Sequence, residues 1–425
     1  MVGRPAAAQR ADVEANASFN VGFSQTTQRA FQTDPAAQPE DIPQSSKNLL
    51  FTELRPGIAA ASGTPRVAWR AGYVFAGTLN FVDESGATYS NAANAALAAQ
   101  LTKFTTLTFT AQASQGGTSF QLSQRPADAG QPQLRAPGNP NQVAGSLAET
   151  LAVELGKHTT LQHTLVGAIN APQDNLGEIN TAVTATLALE RTYERDAFGA
   201  EARGGVAWLQ PLQAETPAYK SVTSSLLGRW NHDFSANWGG SASAGVEQVY
   251  TDTGSKPLAF LPSGSANLRY ALGDVAGAVL VSHGTATNLQ VGSVSLTDQI
   301  SAHGIYTLDS RISRIVSFSA GFLHATPLGD ISPLVAAGTG DAVQGDAGFT
   351  TQIAKNVLGS ARYSVAYQFN QGGGLAPTLA HIFFVGVTGS LRNTEKPLRP
   401  SPARGQRVDG SDAHSFPVVE DAPTP

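Results

Sequence analysis

The chain of 425 residues contains no cysteine. That absence excludes disulfide bonds, thiol nucleophiles and cysteine-ligated metal sites. Long apolar runs are also missing, which excludes membrane-spanning helices of the usual ~20-residue length. Only 14% of the residues are charged and the formal net charge is −5. This balance gives no case for nucleic acid or an anionic membrane surface as a partner.

Short segments of alternating apolar and polar residues occupy most of the chain, and the clearest covers residues 66–81. One face of that segment carries Val67, Trp69, Tyr73, Phe75 and Leu79, and the other carries Arg66, Arg70, Thr78 and Asn80. A period of two indicates a β-strand, because successive side chains point to opposite faces. The run is much longer than the ~5–6 residues of an ordinary globular strand. Long strands with one apolar and one polar face are typical of a membrane barrel.

About eighteen such segments predict an all-β fold, a transmembrane up-and-down antiparallel β-barrel. The connections alternate between tight turns, such as 103–104 and 157–158, and longer Gly- and Pro-containing loops, such as 28–47 and 121–141. Short periplasmic turns and long external loops are the rule in such barrels. With an even strand number, both termini lie on the periplasmic side. We predict a disordered segment over 1–15, the barrel over 16–391 and a disordered periplasmic tail over 392–425.

The predicted location is the cell outer membrane, which requires export across the inner membrane. The first residues, MVGRPAAA, have no apolar core of a signal peptide. We expect either that the start codon lies further upstream or that the signal has been removed, with Ala6–Ala8 as a remnant of a small-residue cleavage site.

Charged residues on the predicted polar faces are candidates for lining the lumen, and arginine predominates among them. They are Arg66, Arg70, Glu190, Glu201, Arg203, Arg229, Arg269 and Arg362. One interpretation is a channel that favours anionic or sugar-like solutes, because arginine pairs with carboxylates and phosphates and stacks on apolar faces. The other is that these charges neutralise one another in salt bridges within the wall.

No pattern predicts catalysis, a cofactor or a metal. The eight histidines lack the spacing of a helical zinc site, and we expect His158 and His232 in turns. Ser317 and Ser319 near His324 resemble a hydrolase arrangement only by chance. Residues 409–412 match part of a calcium-binding loop, but the rest of that pattern is missing. The glycines Gly372–Gly374 do not predict a phosphate-binding loop, because no helix follows them. We therefore predict that the protein is not an enzyme.

Two carboxylates interrupt the apolar faces. Glu149 is in phase with Leu147 and Leu151, and Asp298 is in phase with Leu296 and Ile300. A carboxylate facing lipid costs up to roughly 2 kcal/mol near the bilayer midplane and less near the interface. Either a β-bulge changes the phase of these strands, or their outer faces contact something other than lipid.

The segment 380–389, AHIFFVGVTG, resembles the closing strand of bacterial outer-membrane barrels, whose aromatic and apolar positions the insertion machinery reads. The long tail after it departs from the usual ending on an aromatic residue. In strand number and layout, the chain resembles the ~18-stranded barrels of myxobacterial Wzx/Wzy-type polysaccharide export. That resemblance implies a passive conduit for a secreted polysaccharide and a periplasmic polysaccharide-export partner, besides outer-membrane lipid and the insertion machinery. It supplies no catalytic residue.

The sequence leaves several alternative functions, and one alternative fold, open. The barrel could be a general porin, or a plugged structural or adhesive protein that binds partners through loops 28–47 and 121–141. A soluble β-solenoid would require repeats of fixed period, and the spacing of the segments varies with loop length.

Overall fold

The structure is a computed structural model, and it describes residues 11–29, 44–64, 66–81, 87–117, 141–173, 179–210, 218–252, 260–290, 292–328, 340–369 and 377–392. The strands are β1 (Asp12–Arg29), β2 (Gln44–Gly63), β3 (Val67–Asn80), β4 (Ala87–Thr102), β5 (Thr105–Gly117), β6 (Asn141–Gly156), β7 (Thr159–Pro172), β8 (Asn180–Thr192), β9 (Asp196–Leu209), β10 (Tyr219–His232), β11 (Trp238–Thr251), β12 (Leu261–Leu272), β13 (Val275–Asn288), β14 (Ser293–Asp309), β15 (Arg314–Pro327), β16 (Gly340–Ala354), β17 (Val357–Phe369) and β18 (Thr378–Arg392).

Every strand pairs antiparallel with its neighbours in the chain, and β1 also pairs with β18. The 18-stranded sheet is therefore a closed up-and-down barrel, which confirms the predicted fold class. The shortest strand, β12, has 12 residues. Such a strand is about 40 Å long and spans about 30 Å when tilted as in barrels, which is enough to cross a bilayer. No helix in the described part of the chain is long and apolar enough to span a membrane.

The two ends of the barrel differ as the sequence predicts. The turn end carries the tight connections, such as 103–104 between β4 and β5 and 273–274 between β12 and β13, together with both ends of the described chain. The loop end carries the longer connections, most of which fall outside the described residues. Because periplasmic turns are the short ones, the turn end is assigned to the periplasm.

Several predicted boundaries need correction. Strand β1 begins at Asp12 rather than at residue 16, and Arg392 still belongs to β18 rather than to the tail. The expected tight turn at 309–311 is a 3₁₀ turn, Ser310–Ile312, whose first residues are capped by the Asp309 carboxylate accepting from the Arg311 amide at 3.0 Å. The predicted loops and both termini lie wholly or largely outside the described residues, so the disorder of 1–10 and of 393–425 stays a prediction.

The outer wall carries a band of large apolar side chains. On β3, the exposed residues Trp69, Tyr73, Phe75 and Leu79 alternate with the inward-facing ones. Rings gather at both edges of the band, where amphipathic side chains meet the headgroups. At the turn end, Trp238 packs on Tyr270 with ring centroids 4.7 Å apart. At the loop end, Trp208 and Tyr250 are exposed in the same way.

Asp298 faces outward at the edge of this band and is paired within the chain. Its Oδ1 lies 2.6 Å from Nδ1 of His283 on β13, and His324 on β15 makes the same contact with Asp341 on β16. Cross-strand register places these four side chains in one row, next to the apolar row Val281–Ile300–Phe322–Val343. The interfacial position and the histidine partner explain why a carboxylate is tolerated there.

Glu149 also faces outward, but in mid-strand. It lies directly between Phe109 on β5 and Leu165 on β7. The register of β6 is regular from Gln142 to Glu154, so no bulge turns this side chain inward. The expectation that a bulge corrects the phase is therefore wrong for Glu149.

The β1–β18 seam that closes the barrel depends on close packing on its inner side. Asn20 on β1 is buried and donates to the Glu53 carboxylate on β2 at 2.9 Å. Its side chain occupies the space where a Cβ at Gly386 of β18 would be. Any side chain at residue 386 must therefore displace Asn20 from Glu53.

We predict that Gly386→Ala lowers the free energy of unfolding by about 1–3 kcal/mol, as overpacking usually does. The measurement is the urea midpoint of the folded, heat-modifiable species. Gly389→Ala is the matched control, because nothing lies within 4 Å of a Cβ at that position on the same strand. Equal midpoints for the two variants would contradict this account of the seam.

Candidate functional site: the lumen and its loop-end mouth

All eight candidate charged residues fall on the inward side of the wall or on its turn. Arg66 lies in the turn between β2 and β3, and the other seven occupy positions of β3, β8, β9, β10, β12 and β17 that alternate with exposed apolar residues. Most lie in the turn-end half of their strands.

Four of the candidates come together on neighbouring strands β8, β9 and β10. The Glu201 carboxylate accepts from Arg203 at 2.9 Å and from Arg229 at 3.2 Å. Asn231 donates to Glu190 at 3.1 Å beside them. The buried carboxylate of Glu201 is thus compensated twice, as a buried charge must be.

Other candidates are neutralised separately. Arg362 on β17 contacts Asp346 on β16 at 2.5 Å, and Ser364 donates to the same carboxylate at 2.6 Å. Arg269 contacts Asp233, in the β10–β11 turn, at 3.0 Å. Arg66 and Arg70 form no ion pair with any described residue. The salt-bridged interpretation therefore describes Arg203, Arg229, Arg269 and Arg362. Among the candidate arginines, only Arg66 and Arg70, on the β3 side, have no ion-pair partner in the described part of the chain.

Sequence reasoning missed Asp346 and Glu53 as partners of inner arginines. The pairing of Asp346 with Arg362 depends on the register between β16 and β17, whereas Glu53 and Arg55 are two residues apart on the inner face of β2. Sequence reasoning also considered Ser317 and Ser319, together with His324, as a hydrolase-like arrangement. Those serines face inward while His324 faces outward, so the three cannot form one site. His232 is the last residue of β10 rather than a turn residue, and His158 does lie in a turn.

Inner-face residues near the loop end are buried although they point into the barrel. Ser90, Gln142, Asn170 and Asn180 are all at most 6% exposed. Some inner charges further from the mouth are more accessible, with 51% of the Arg203 side chain and 44% of the Arg269 side chain exposed, whereas only 19% of the Arg229 side chain and 12% of the Arg362 side chain are exposed. Inner side chains therefore fill the loop-end mouth, and Arg203 and Arg269 lie in more open parts of the interior.

The connection between β13 and β14 contributes to this filling. We call residues 289–292 the hairpin tip; Leu289, Gln290 and Gly292 are the members that the structure describes. The carbonyl of Leu289 accepts from Asn180 of β8 at 2.9 Å, and the carbonyl of Gly292 accepts from the Tyr219 hydroxyl of β10 at 3.1 Å. Asn180 and Tyr219 are inward-facing, so the tip lies inside the mouth rather than above it.

An apolar cluster joins the tip to the inner wall. Its buried members come from the wall strands β9, β10 and β11, from β14 and from the residue after β15. They are Ala207, Leu209, Tyr219, Val249, Val294 and Leu328. Val249 is completely buried. Burial of apolar surface of this kind contributes about 25 cal/mol per Å², so the cluster holds the tip against the wall.

The base of the same hairpin is fixed by Glu247, a buried inner residue of β11. Its carboxylate accepts from the Thr285 amide of β13 at 3.0 Å and from the Thr285 hydroxyl. This contact reaches past β12, whose pairing with β13 ends at Gly264 and His283. The carboxylate thereby takes the place of missing ladder bonds and directs the hairpin inward.

Some polar atoms at the mouth have no partner. The hydroxyls of Ser221 and Ser293 and the side-chain carbonyl of Gln290 are buried and make no hydrogen bond with described residues. Each such atom costs about 1–3 kcal/mol unless water reaches it. The docked tip is therefore less stable than its apolar contacts alone would make it.

No family model matches the chain, and no curated protein matches it. Among solved structures, it is similar to the Pseudomonas aeruginosa outer membrane protein OpdK, at 9% identity over 89% of this chain and 99% of that one, with a TM-score of 0.42. The structure of P. aeruginosa OccK2 (OpdF) in complex with glucuronate is similar at 12% identity over 89% of this chain and 98% of that one, with a TM-score of 0.43. The P. aeruginosa siderophore receptor PirA is similar at 10% identity over 89% of this chain and 80% of that one, with a TM-score of 0.40.

We predict that Tyr219→Phe releases the hairpin tip, because it removes the hydrogen bond to the Gly292 carbonyl. Ser293→Cys supplies the reporter, since the natural chain has no cysteine and Ser293 is 2% exposed. If the lost hydrogen bond stabilises the docked tip by about 1.4 kcal/mol, a water-soluble maleimide should label the cysteine at position 293 about tenfold faster. In Tyr250→Phe, an outward-facing control on β11, the rate should not change. An equal labelling rate in Ser293→Cys alone, with Tyr219→Phe and with Tyr250→Phe would show that Tyr219 does not hold the tip.

The architecture itself fixes the location of the protein. A single chain that forms an even-stranded antiparallel barrel with an outer apolar band and aromatic edges is of the bacterial outer-membrane class. The protein is an integral outer-membrane β-barrel.

Proposed function

We propose that the protein is a passive channel for small hydrophilic solutes, narrowed at its external mouth by the hairpin tip. The observation that carries the proposal is the accessibility of charged side chains inside the wall, above all Arg203 and Arg269. Charged groups that are exposed within a barrel need water around them. A ring of 18 strands is wide enough to hold an aqueous channel.

The channel should discriminate weakly by charge. Most of the inner arginines are paired with carboxylates within the wall, so their fields largely cancel at the distance of a passing solute. Arg70 on β3 has no ion-pair partner among the described residues and contributes a local preference for anions on one side of the lumen. This arrangement suits a porin of modest selectivity better than a dedicated anion channel.

Secreted polysaccharide is the more specific cargo that the resemblance in layout implies. No contact in the described wall favours a polymer over small solutes, and the filled mouth restricts the passage of a chain. Polysaccharide export, with a periplasmic export protein as partner, therefore remains a proposal without support from the described residues.

A plugged structural or adhesive barrel is the second candidate, and the docked tip favours it. The buried cluster at the mouth and the two hydrogen bonds to the tip carbonyls would serve as a permanent plug equally well. The two candidates differ in whether ions cross the protein.

The test is single-channel recording in planar lipid bilayers with Arg70→Cys, a variant that changes an inward residue without a described ion pair. We expect the current to fall when a bulky, charged thiol reagent modifies residue 70, since the adduct occupies the lumen. Ala71→Cys is the control, because the adjacent side chain points outward. The same reagent should leave its current unchanged.

The complete absence of current in the unmodified protein, with the barrel folded, would favour the plugged barrel over the channel. Equal inhibition of the variants at 70 and 71 would contradict the assignment of the inner face.

A further inference from the structure

Among the outward-facing carboxylates of the described strands, Glu149 stands out because no positively charged side chain contacts it. It is half-buried in mid-strand, with Phe109 and Leu165 beside it across the sheet and Leu147 and Leu151 two residues away on the same face. It has no hydrogen bond or ion pair within the described part of the chain. Asp298, by contrast, sits near the loop end and contacts His283.

A carboxylate at this depth is unfavourable against hydrocarbon. Polar groups on the lipid side of membrane proteins generally face another protein surface, where a partner group can bond to them. The position of Glu149 therefore points to a covered surface on the outside of β5, β6 and β7.

The same surface carries a complementary group. His163 on β7 faces outward and pairs across the sheet with Leu151, so it lies diagonal to Glu149. Diagonal neighbours of this kind are separated by about 7–8 Å between Cα atoms. That separation is within reach of long side chains, but Glu149 and His163 make no bond with each other or with another described residue.

A second copy of the chain would provide a hydrogen-bond partner for both Glu149 and His163. In an isologous dimer the same patch meets itself, so a residue that contacts another across the axis is contacted by it in return. A two-fold axis along the membrane normal, passing between Glu149 and His163, brings the carboxylate of each copy to the imidazole of the other. Two carboxylate–imidazole hydrogen bonds then form in place of four unpaired polar groups.

The neighbouring surface permits this approach. Beyond the large side chains that flank Glu149, the outer faces of β4, β5 and β6 carry small residues towards the loop end: Ala93, Ala95, Ala111, Ala113 and Gly145. Small residues allow two membrane-embedded surfaces to come close. The corresponding region on the opposite wall, nine strands away around the ring, carries Phe318 and Phe322 on β15.

We propose that the outer face of β5–β7, centred on Glu149 and His163, is a homodimer interface within the membrane. The proposal does not depend on conduction, since a plugged barrel would dimerise through the same surface.

Cysteine cross-linking of the full chain in outer membranes tests the proposal, because the natural chain offers no competing thiol. Ala111→Cys, adjacent to Leu147 on the proposed interface, should give a cross-linked dimer with a short bifunctional thiol reagent. Ala320→Cys, an outward alanine in the apolar band of β15, is the matched control and should remain monomeric. Equal cross-linking of both variants, or none at 111, would overturn the proposal, as would cross-linking at 111 only to a different protein.

Glu149→Gln provides the second measurement, since it removes the charge and keeps the shape. In mild detergent, the dissociation constant of the dimer should rise about tenfold or more, because each copy loses a charge-assisted bond. His163→Phe should have a similar effect, while the heat-modifiable mobility that reports a folded barrel stays unchanged. A dimer of unaltered affinity in both variants would exclude the carboxylate–imidazole contact.

Discussion

The need to hydrogen-bond every backbone N–H and C=O group within the bilayer is the constraint on which the whole structure depends. A sheet in hydrocarbon cannot leave an edge unpaired, so β1 must meet β18. Closure in turn separates the two faces of every strand, one towards lipid and one towards the interior. The alternation of side chains along the sequence follows from that requirement, and the even strand number places both termini at one end.

Once the barrel is closed, its interior must contain either water or side chains. In this protein, accessible charges and tightly packed side chains occupy different levels along the barrel axis. Away from the mouth, inner charges such as Arg203 and Arg269 remain accessible. Near the loop end, an apolar cluster and the inward hairpin tip occupy the mouth. The anchor that makes this arrangement is Glu247, which bonds to the backbone of Thr285 where the regular ladder ends. In the proposed channel, the mouth rather than the width of the ring is therefore the narrow point.

The fold was predictable because period-two alternation is a local signal that survives in each strand. Segment 66–81 shows this, since its exposed large apolar residues, such as Trp69, Tyr73 and Phe75, are all odd-numbered. The contacts of the wall were not predictable in the same way. Arg362 pairs with Asp346 only because of the register between β16 and β17, and a shift of one residue would put one of the two on the other face. The hairpin tip was missed because contacts between residue 180 and residue 289 leave no local pattern.

The two exceptions to the alternation have different explanations, which the sequence alone did not separate. Asp298 is close to the end of its apolar band and has His283 as a partner across the strand pair. Glu149 is in mid-strand, and its nearest outward imidazole lies diagonally away. Only the cross-strand register distinguishes a carboxylate with an imidazole directly across the strand pair from one without.

Accessibility along β3 tests the central claim most directly. A spin label placed in turn at each residue from 67 to 80, in protein reconstituted into bilayers, reports collision rates with oxygen, which concentrates in lipid, and with a water-soluble nickel complex. The closed barrel predicts two oscillations of period two in opposite phase, with oxygen reaching Trp69, Tyr73 and Phe75 and nickel reaching Arg70 and Thr78. Oscillations in the same phase, or nickel collisions of equal frequency on both faces, would contradict a barrel that separates lipid from an aqueous interior.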